Sequence, residues 1–172
     1  MELFWIMKNL YLVGMRGTGK STIGKLLAEE LKKGFIDVDK KIEQRVGLSI
    51  SEYVSKQGWE PFRELEKKQV EEMTLLQDTV ISTGGGILMS FNNAQKLKDS
   101  GTLILLTAST KTLHKRLEYS SDRPALKGGN FLDELEQIWN ERKDRYYQFA
   151  DLIIDSEGKT PEETVQEIIR EL

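Results

Sequence analysis

Along the chain, short apolar runs of strand length alternate with longer stretches whose apolar residues recur at helical spacing. That alternation predicts an α/β fold, a parallel sheet joined by crossover helices. The first strand falls at residues 10–13, and a helix at 21–33 is stopped by Gly34. A short second strand follows at 35–38. Ser49 and Glu52 have capping-box spacing, so a helix starts there and ends near Gly58. A charged amphipathic helix over 60–76 leads to a third strand at 79–83. The fourth strand lies at 103–106, followed by a helix at 110–117 begun at Ser109 and a long helix over 131–149. A fifth strand at 152–154 precedes a closing helix over 161–172, with Pro161 in a favoured first-turn position. Residues 118–130 lack clear periodicity and hold Pro124 and Gly128-Gly129, a loop of the kind that closes over a substrate. No repeat, low-complexity tract or linker divides the chain, which reads as one domain over 1–172.

Composition narrows the chemistry. With 25 Lys+Arg against 28 Asp+Glu, a net charge of −3 offers no basic excess for a nucleic-acid partner. The absence of cysteine removes disulfides, thiolate nucleophiles and zinc-thiolate sites. His114 is the single histidine, set between Lys111 and Lys115 on a predicted helix and expected to be solvated. Trp5, Trp59 and Trp139 are scattered and read as packing aromatics. No apolar run approaches the roughly 18–20 residues of a membrane span. Residues 1–6 carry no basic segment and are too short for a targeting peptide, and Met7 is an alternative start. The expectation is a cytoplasmic protein, a monomer with neither membrane nor nucleic-acid partner. Chemistry is left to carboxylates, lysines, arginines, hydroxyls, backbone amides or a bound metal.

Gly14-Met15-Arg16-Gly17-Thr18-Gly19-Lys20-Ser21 fits the G-x-x-x-x-G-K-[ST] pattern between a predicted strand and a predicted helix. The glycines let the backbone wrap around phosphate oxygens with N–H groups turned inward, and the helix N-terminus adds positive charge there. Lys20 reaches the β and γ phosphates, and the Ser21 hydroxyl is placed to ligate Mg²⁺. The chain therefore binds a nucleoside triphosphate through Gly17, Thr18, Gly19, Lys20, Ser21 and Thr22. A guanine-reading N-K-x-D element is absent, which argues against a GTPase switch. The third strand ends in Ser82-Thr83-Gly84-Gly85-Gly86, where a small molecule can approach the backbone; a tight turn is the alternative. Asp37-Val38-Asp39 closes the second strand. Alternation puts both carboxylates on one face at the end where ligands bind in open α/β sheets. One would serve the metal and the other an attacking hydroxyl. A capping aspartate followed by a solvated one is the other reading.

These motifs, with Ile42-Glu43, Phe62-Arg63-Glu64-Leu65-Glu66, Arg123-Pro124 and Arg142 before Tyr146, resemble in order and spacing the bacterial shikimate kinases, a P-loop family related to the nucleoside-monophosphate kinases. The resemblance covers nearly the whole chain from Leu10 onward. It implies a five-stranded parallel sheet flanked by helices, a closing lid over about 118–130 and a substrate-binding helical region over about 39–66. It implies ATP- and Mg²⁺-dependent phosphorylation of the 3-hydroxyl of shikimate, a step towards chorismate and the aromatic amino acids. Carried over by resemblance, Asp39 holds the shikimate hydroxyls as base or orienting carboxylate, and Lys20 and Arg123 serve the transferred phosphate. Arg63 and Arg142 bind the substrate carboxylate, with backbone contact along Gly84, Gly85 and Gly86. Asp37 helps Ser21 hold Mg²⁺, and Arg116 and Pro161 sandwich the adenine. A planar guanidinium matches a carboxylate with two parallel hydrogen bonds, which agrees with that assignment. Two departures from the family pattern are Ile87-Leu88, bulk expected near the pocket floor, and Arg16 inside the phosphate loop. A gluconate-type sugar-acid kinase and a catalytically silent kinase-like module are the competing readings.

Overall fold

The computed structural model describes residues 8–118 and 131–172. Five parallel strands run in the order β2-β3-β1-β4-β5: β1 Asn9–Val13, β2 Gly34–Asp37, β3 Thr79–Ser82, β4 Gly101–Thr107 and β5 Leu152–Asp155. Successive residues of β1 face opposite ways, and both sides are covered. Tyr11 and Val13 join Ile81, Leu103 and Leu105 in one core with Ile42, Phe62, Met73 and Tyr146. Leu10 and Leu12 join Val80, Ile104 and Leu106 in the other, against Leu27, Val165 and Ile168. Burial on both faces explains why the central strands read as continuous apolar runs.

Eight helices connect the strands among the described residues: α1 Lys20–Leu31, α2 Val38–Val46, α3 Ile50–Gln57, α4 Trp59–Met73, α5 Phe91–Ser100, α6 Thr110–Glu118, α7 Phe131–Phe149 and α8 Pro161–Glu171. Capping boxes open α3 at Ser49/Glu52 and α8 at Thr160/Glu163. The chain runs outward from β1 to β2 and later crosses to β4, so the loops beyond the strands' carboxyl ends meet over β1.

Three expectations from the sequence are corrected. Helix α1 ends at Leu31, where Lys32 takes a left-handed φ of 54° and donates its N–H to Ala28 and Glu29 carbonyls; Gly34 opens β2 instead of stopping the helix. Strand β2 ends at Asp37, whose carboxylate accepts the Lys40 N–H at 3.1 Å and turns Val38 into the first residue of α2. Asp39 is thus on a helix, and strand alternation does not relate it to Asp37. Helices α2 and α5, with the short 3₁₀ turn Ile87–Met89, occupy stretches where the sequence pattern suggests no element. Each helix buries only two or three residues, too few for a visible period.

Candidate active site

The phosphate loop leaves β1 and enters α1. Gly14 has φ 138°, and a Cβ there would lie 2.4 Å from the Leu106 carbonyl oxygen, so only glycine fits. Gly19, at φ 93°, is the N-cap of α1 and provides no side-chain acceptor, which leaves first-turn N–H groups to a ligand. Thr18 is buried and its hydroxyl donates to the Met15 carbonyl at 2.8 Å. The Lys20 ammonium, 8% exposed, donates to the Gly14 and Met15 carbonyls at 2.9 and 2.8 Å, so it is folded onto the loop that it serves. Thr22 is exposed in the first turn beside Ser21.

Ser21 Oγ donates to Asp37 Oδ2 at 2.5 Å and lies 3.4 Å from Ser82 Oγ. Asp37 is therefore both a helix cap and a partner of the phosphate-loop serine. Among the described residues, no three His, Cys, Asp or Glu side chains converge to hold a metal by themselves. The hard oxygen donors of Ser21 and Asp37 instead suit Mg²⁺, which takes one or two carboxylates and fills its shell with water and phosphate oxygens.

Beside this loop opens a cavity of about 320 Å³. Asp39 from α2, Trp59, Arg63 and Glu66 from α4, the glycine turn after β3, Arg142 from α7 and Arg16 of the phosphate loop line it. None of Gly84, Gly85 and Gly86 has a positive φ. Their smallness is needed for space. A Cβ on Gly84 would approach Asp39 Oδ1 to 3.0 Å and Glu66 Oε1 to 3.2 Å; on Gly85, Arg142 Nη1 to 3.3 Å; on Gly86, both terminal nitrogens of Arg63 to 2.8 Å. The glycines do form a tight turn, in which Ile87 N–H donates to the Gly84 carbonyl at 3.3 Å, and their smallness also leaves room for four charged groups.

Arg63 donates to Glu66 and lies under two rings, its guanidinium carbon 5.2 Å from the Trp59 centroid and 5.6 Å from that of Phe62. Glu66 is 2% exposed, and burial pushes its carboxyl above the ordinary range despite the pull of Arg63. The nearby Asp39 charge pushes the same way, and Arg142 opposes it. Tyr146, buried on α7, donates its hydroxyl to the Gly85 carbonyl at 2.5 Å and is hydrogen-bonded by Arg142. Burial raises its phenol.

At the other end of the loop, Arg116 donates from Nη1 to the Gly17 carbonyl (3.3 Å) and Ser156 Oγ (3.1 Å), and from Nη2 to the Ser156 carbonyl (3.1 Å). The loop from β5 to Pro161 is fixed again by Glu157, which accepts from Ser109 N at 2.8 Å and Thr112 Oγ1 at 2.5 Å. Those bonds hold its carboxyl below the usual range.

The structure thus gathers Lys20, Ser21 and Asp37 at one site, and Asp39, Arg63, Gly84–Gly86 and Arg142 at its neighbour. Arg123 and the loop that carries it, like Trp5, lie outside the described residues. Ile87 and Leu88 are buried in the core and do not line the cavity beside the phosphate loop, contrary to expectation. His114 is half-buried, 3.3 Å from Glu118 and tilted against Phe131, so it is not simply solvated. Glu66, Tyr146 and Glu157 had no assigned role from sequence. The one available signal for Glu66 was its place three residues after Arg63, on the same helix face.

The shikimate kinase family model matches residues 16–172. A shikimate kinase from Sulfurihydrogenibium sp. is 41% identical over 166 residues, covering 96% of this chain and 98% of the relative. The chain belongs to the shikimate kinase family. Another shikimate kinase, from Thermodesulfovibrio yellowstonii, is 39% identical over 96% of this chain and 95% of its own. Among solved structures, the shikimate kinase from Acinetobacter baumannii in complex with shikimate superposes with a TM-score of 0.92 at 30% identity, covering 98% of this chain and 94% of that one. A gluconokinase from Sinorhizobium meliloti, at 16% identity and TM-score 0.60 over 95% of this chain and 90% of that one, shares the fold alone.

Proposed function

We infer that the protein transfers the terminal phosphoryl group of ATP to the 3-hydroxyl of shikimate, giving shikimate 3-phosphate and ADP for aromatic amino acid biosynthesis. The observation that carries this reading is the juxtaposition of a phosphate loop with a cavity holding Arg63, Arg142 and Asp39 over the glycine turn. A small acid bearing hydroxyls suits that set. Arg63 and Arg142 pair with the carboxylate through charge-assisted hydrogen bonds, and the glycine backbone permits close approach of the ring. Asp39 orients the attacking hydroxyl and accepts its proton as the oxygen bonds to phosphorus and ADP leaves. Lys20, and Arg123 from the 118–130 lid, offset charge that builds on the transferred group. Ser21 and Asp37 would hold Mg²⁺, which would supply positive charge to offset that of the β and γ phosphates. Gly17, Thr18, Gly19 and Thr22 line the triphosphate, while Arg116 and Pro161 flank the adenine.

The chain is read as one kinase domain over 1–172, with acid-binding groups between 39 and 66, working as a cytoplasmic monomer. No helix among the described residues is long and apolar enough to cross a membrane. An ADP-release assay with ATP, Mg²⁺ and either shikimate or gluconate tests the substrate. Turnover is expected with shikimate only, and release with gluconate alone overturns the assignment. No turnover with either acid would favour the silent module. Sedimentation at more than one chain's mass would reject the monomer.

A further inference from the structure

Tyr146 is 1% exposed in the core on α7, and the proposed transfer makes no use of its phenol. The hydroxyl nevertheless joins two parts of the acid cavity that come from separate elements. It donates to the Gly85 carbonyl, in the turn after β3, at 2.5 Å, and its oxygen accepts from Arg142. A phenol has one proton to give and lone pairs with which to receive, so both capacities are in use. Gly85 and Arg142 line the cavity, and Tyr146 stands behind them. Arg142 and Tyr146 are one helical turn apart and share a face of α7. On that face the guanidinium lies so near the turn that a Cβ on Gly85 would meet Nη1 at 3.3 Å. Arg63 is braced by the Glu66 carboxylate, whereas no described carboxylate forms a salt bridge with Arg142. The Tyr146 ring is itself fixed, stacked on Trp139 with centroids 6.2 Å apart and planes at 29°.

We propose that Tyr146 is a positioning residue: its hydroxyl sets the direction of the Arg142 guanidinium and pins the glycine turn beside it, so that the acid cavity is ordered before the acid arrives. A trans peptide sets its N–H opposite its carbonyl, so anchoring the Gly85 oxygen also fixes the Gly86 N–H. Without the hydroxyl, the Gly85 carbonyl loses its donor and Arg142 an acceptor. The ordering of both is then deferred to the moment of binding, which weakens it. The effect on the acid rests on the reading of Arg142 as a ligand of the substrate carboxylate; the hold of the phenol on Arg142 does not.

Tyr146→Phe keeps the stacked ring and removes only the hydroxyl. It should raise the KM for shikimate about fivefold, the scale of one hydrogen bond, and leave the KM for ATP near native. A purely structural loss would move both. The same substitution made in Arg142→Ala, where the group to be positioned is gone, should raise the KM by less than about twofold further. A fivefold rise in both backgrounds, or an equal change for both substrates, overturns the proposal. In ligand-free native protein labelled with ¹⁵N-arginine, the Arg142 guanidinium, assigned by its loss in Arg142→Ala, should give separate Nη signals, because a held guanidinium rotates slowly about its Cζ–Nη bonds. Those signals should merge in Tyr146→Phe. A single averaged signal in the native protein overturns the proposal even if Tyr146→Phe does not fold. If shikimate is not phosphorylated, the substrate reading fails, while the guanidinium signals still decide whether the phenol holds Arg142.

Discussion

At Glu66 two influences oppose each other. Removal from water disfavours the carboxylate, Arg63 favours it, and burial prevails in raising the carboxyl above the ordinary 4.5. The folded state therefore holds the proton more tightly than the unfolded chain. That contribution to stability is fullest below pH 4.5 and declines as pH rises through the raised value. In Glu66→Gln the decline disappears, so the melting temperature of the variant should gain on that of the native protein as pH rises above 4.5. Parallel calorimetric curves would refute this. Gly86 makes the complementary case. Its φ of −99° suits any residue, yet a Cβ would press on both terminal nitrogens of Arg63. Gly86→Ala should therefore fold, raise the KM for the acid by about tenfold and leave the KM for ATP near native. An equal change for both substrates would mean that the turn does not serve the acid.

Among the elements, those with strong local signals were legible. The capping box at Ser49/Glu52 fixed the start of α3, and the long period of α7 gave Phe131–Phe149 at both ends. The phosphate loop was readable because its glycines and lysine are adjacent in sequence. The acid cavity was readable only through resemblance, because Asp39, Arg63, Gly85 and Arg142 come from four separate segments. Helix α2 was legible only through the resemblance, because Asp37 can end a strand or cap a helix, and the capping bond to Lys40 decided it. Glu66 stayed hidden because a glutamate beside an arginine usually marks a solvated helix face. Caps also set stabilities that can be measured. Thr160 accepts the Glu163 N–H at 3.1 Å at the head of α8. Thr160→Ala should cost about 1 kcal/mol, a fall in melting temperature of about 2–4 °C in a domain of this size. An unchanged melting temperature would show that tertiary packing alone fixes that end.

Over the whole molecule, the sheet order places the ends of β1, β2 and β3 side by side, and each supplies one part of the site. The loop after β1 brings the lysine, the end of β2 the Asp37 oxygen beside Ser21, and the turn after β3 the floor of the acid cavity. Among the described residues no three His, Cys, Asp or Glu side chains converge, and on the proposed reading the metal arrives with the nucleotide. Chelation should abolish turnover and leave the melting temperature of the nucleotide-free protein unchanged. A fall in that temperature on adding EDTA would point to a structural metal.

Arg116 has its own consequence. One guanidinium ties Gly17 of the phosphate loop to Ser156 just after β5. It acts as a strut between them, so any change that slackens it disturbs both loops at once. On the proposed reading, a substitution that loosens Arg116 would shift affinity for the base and for the phosphates together, so the two could not be tuned separately at this position.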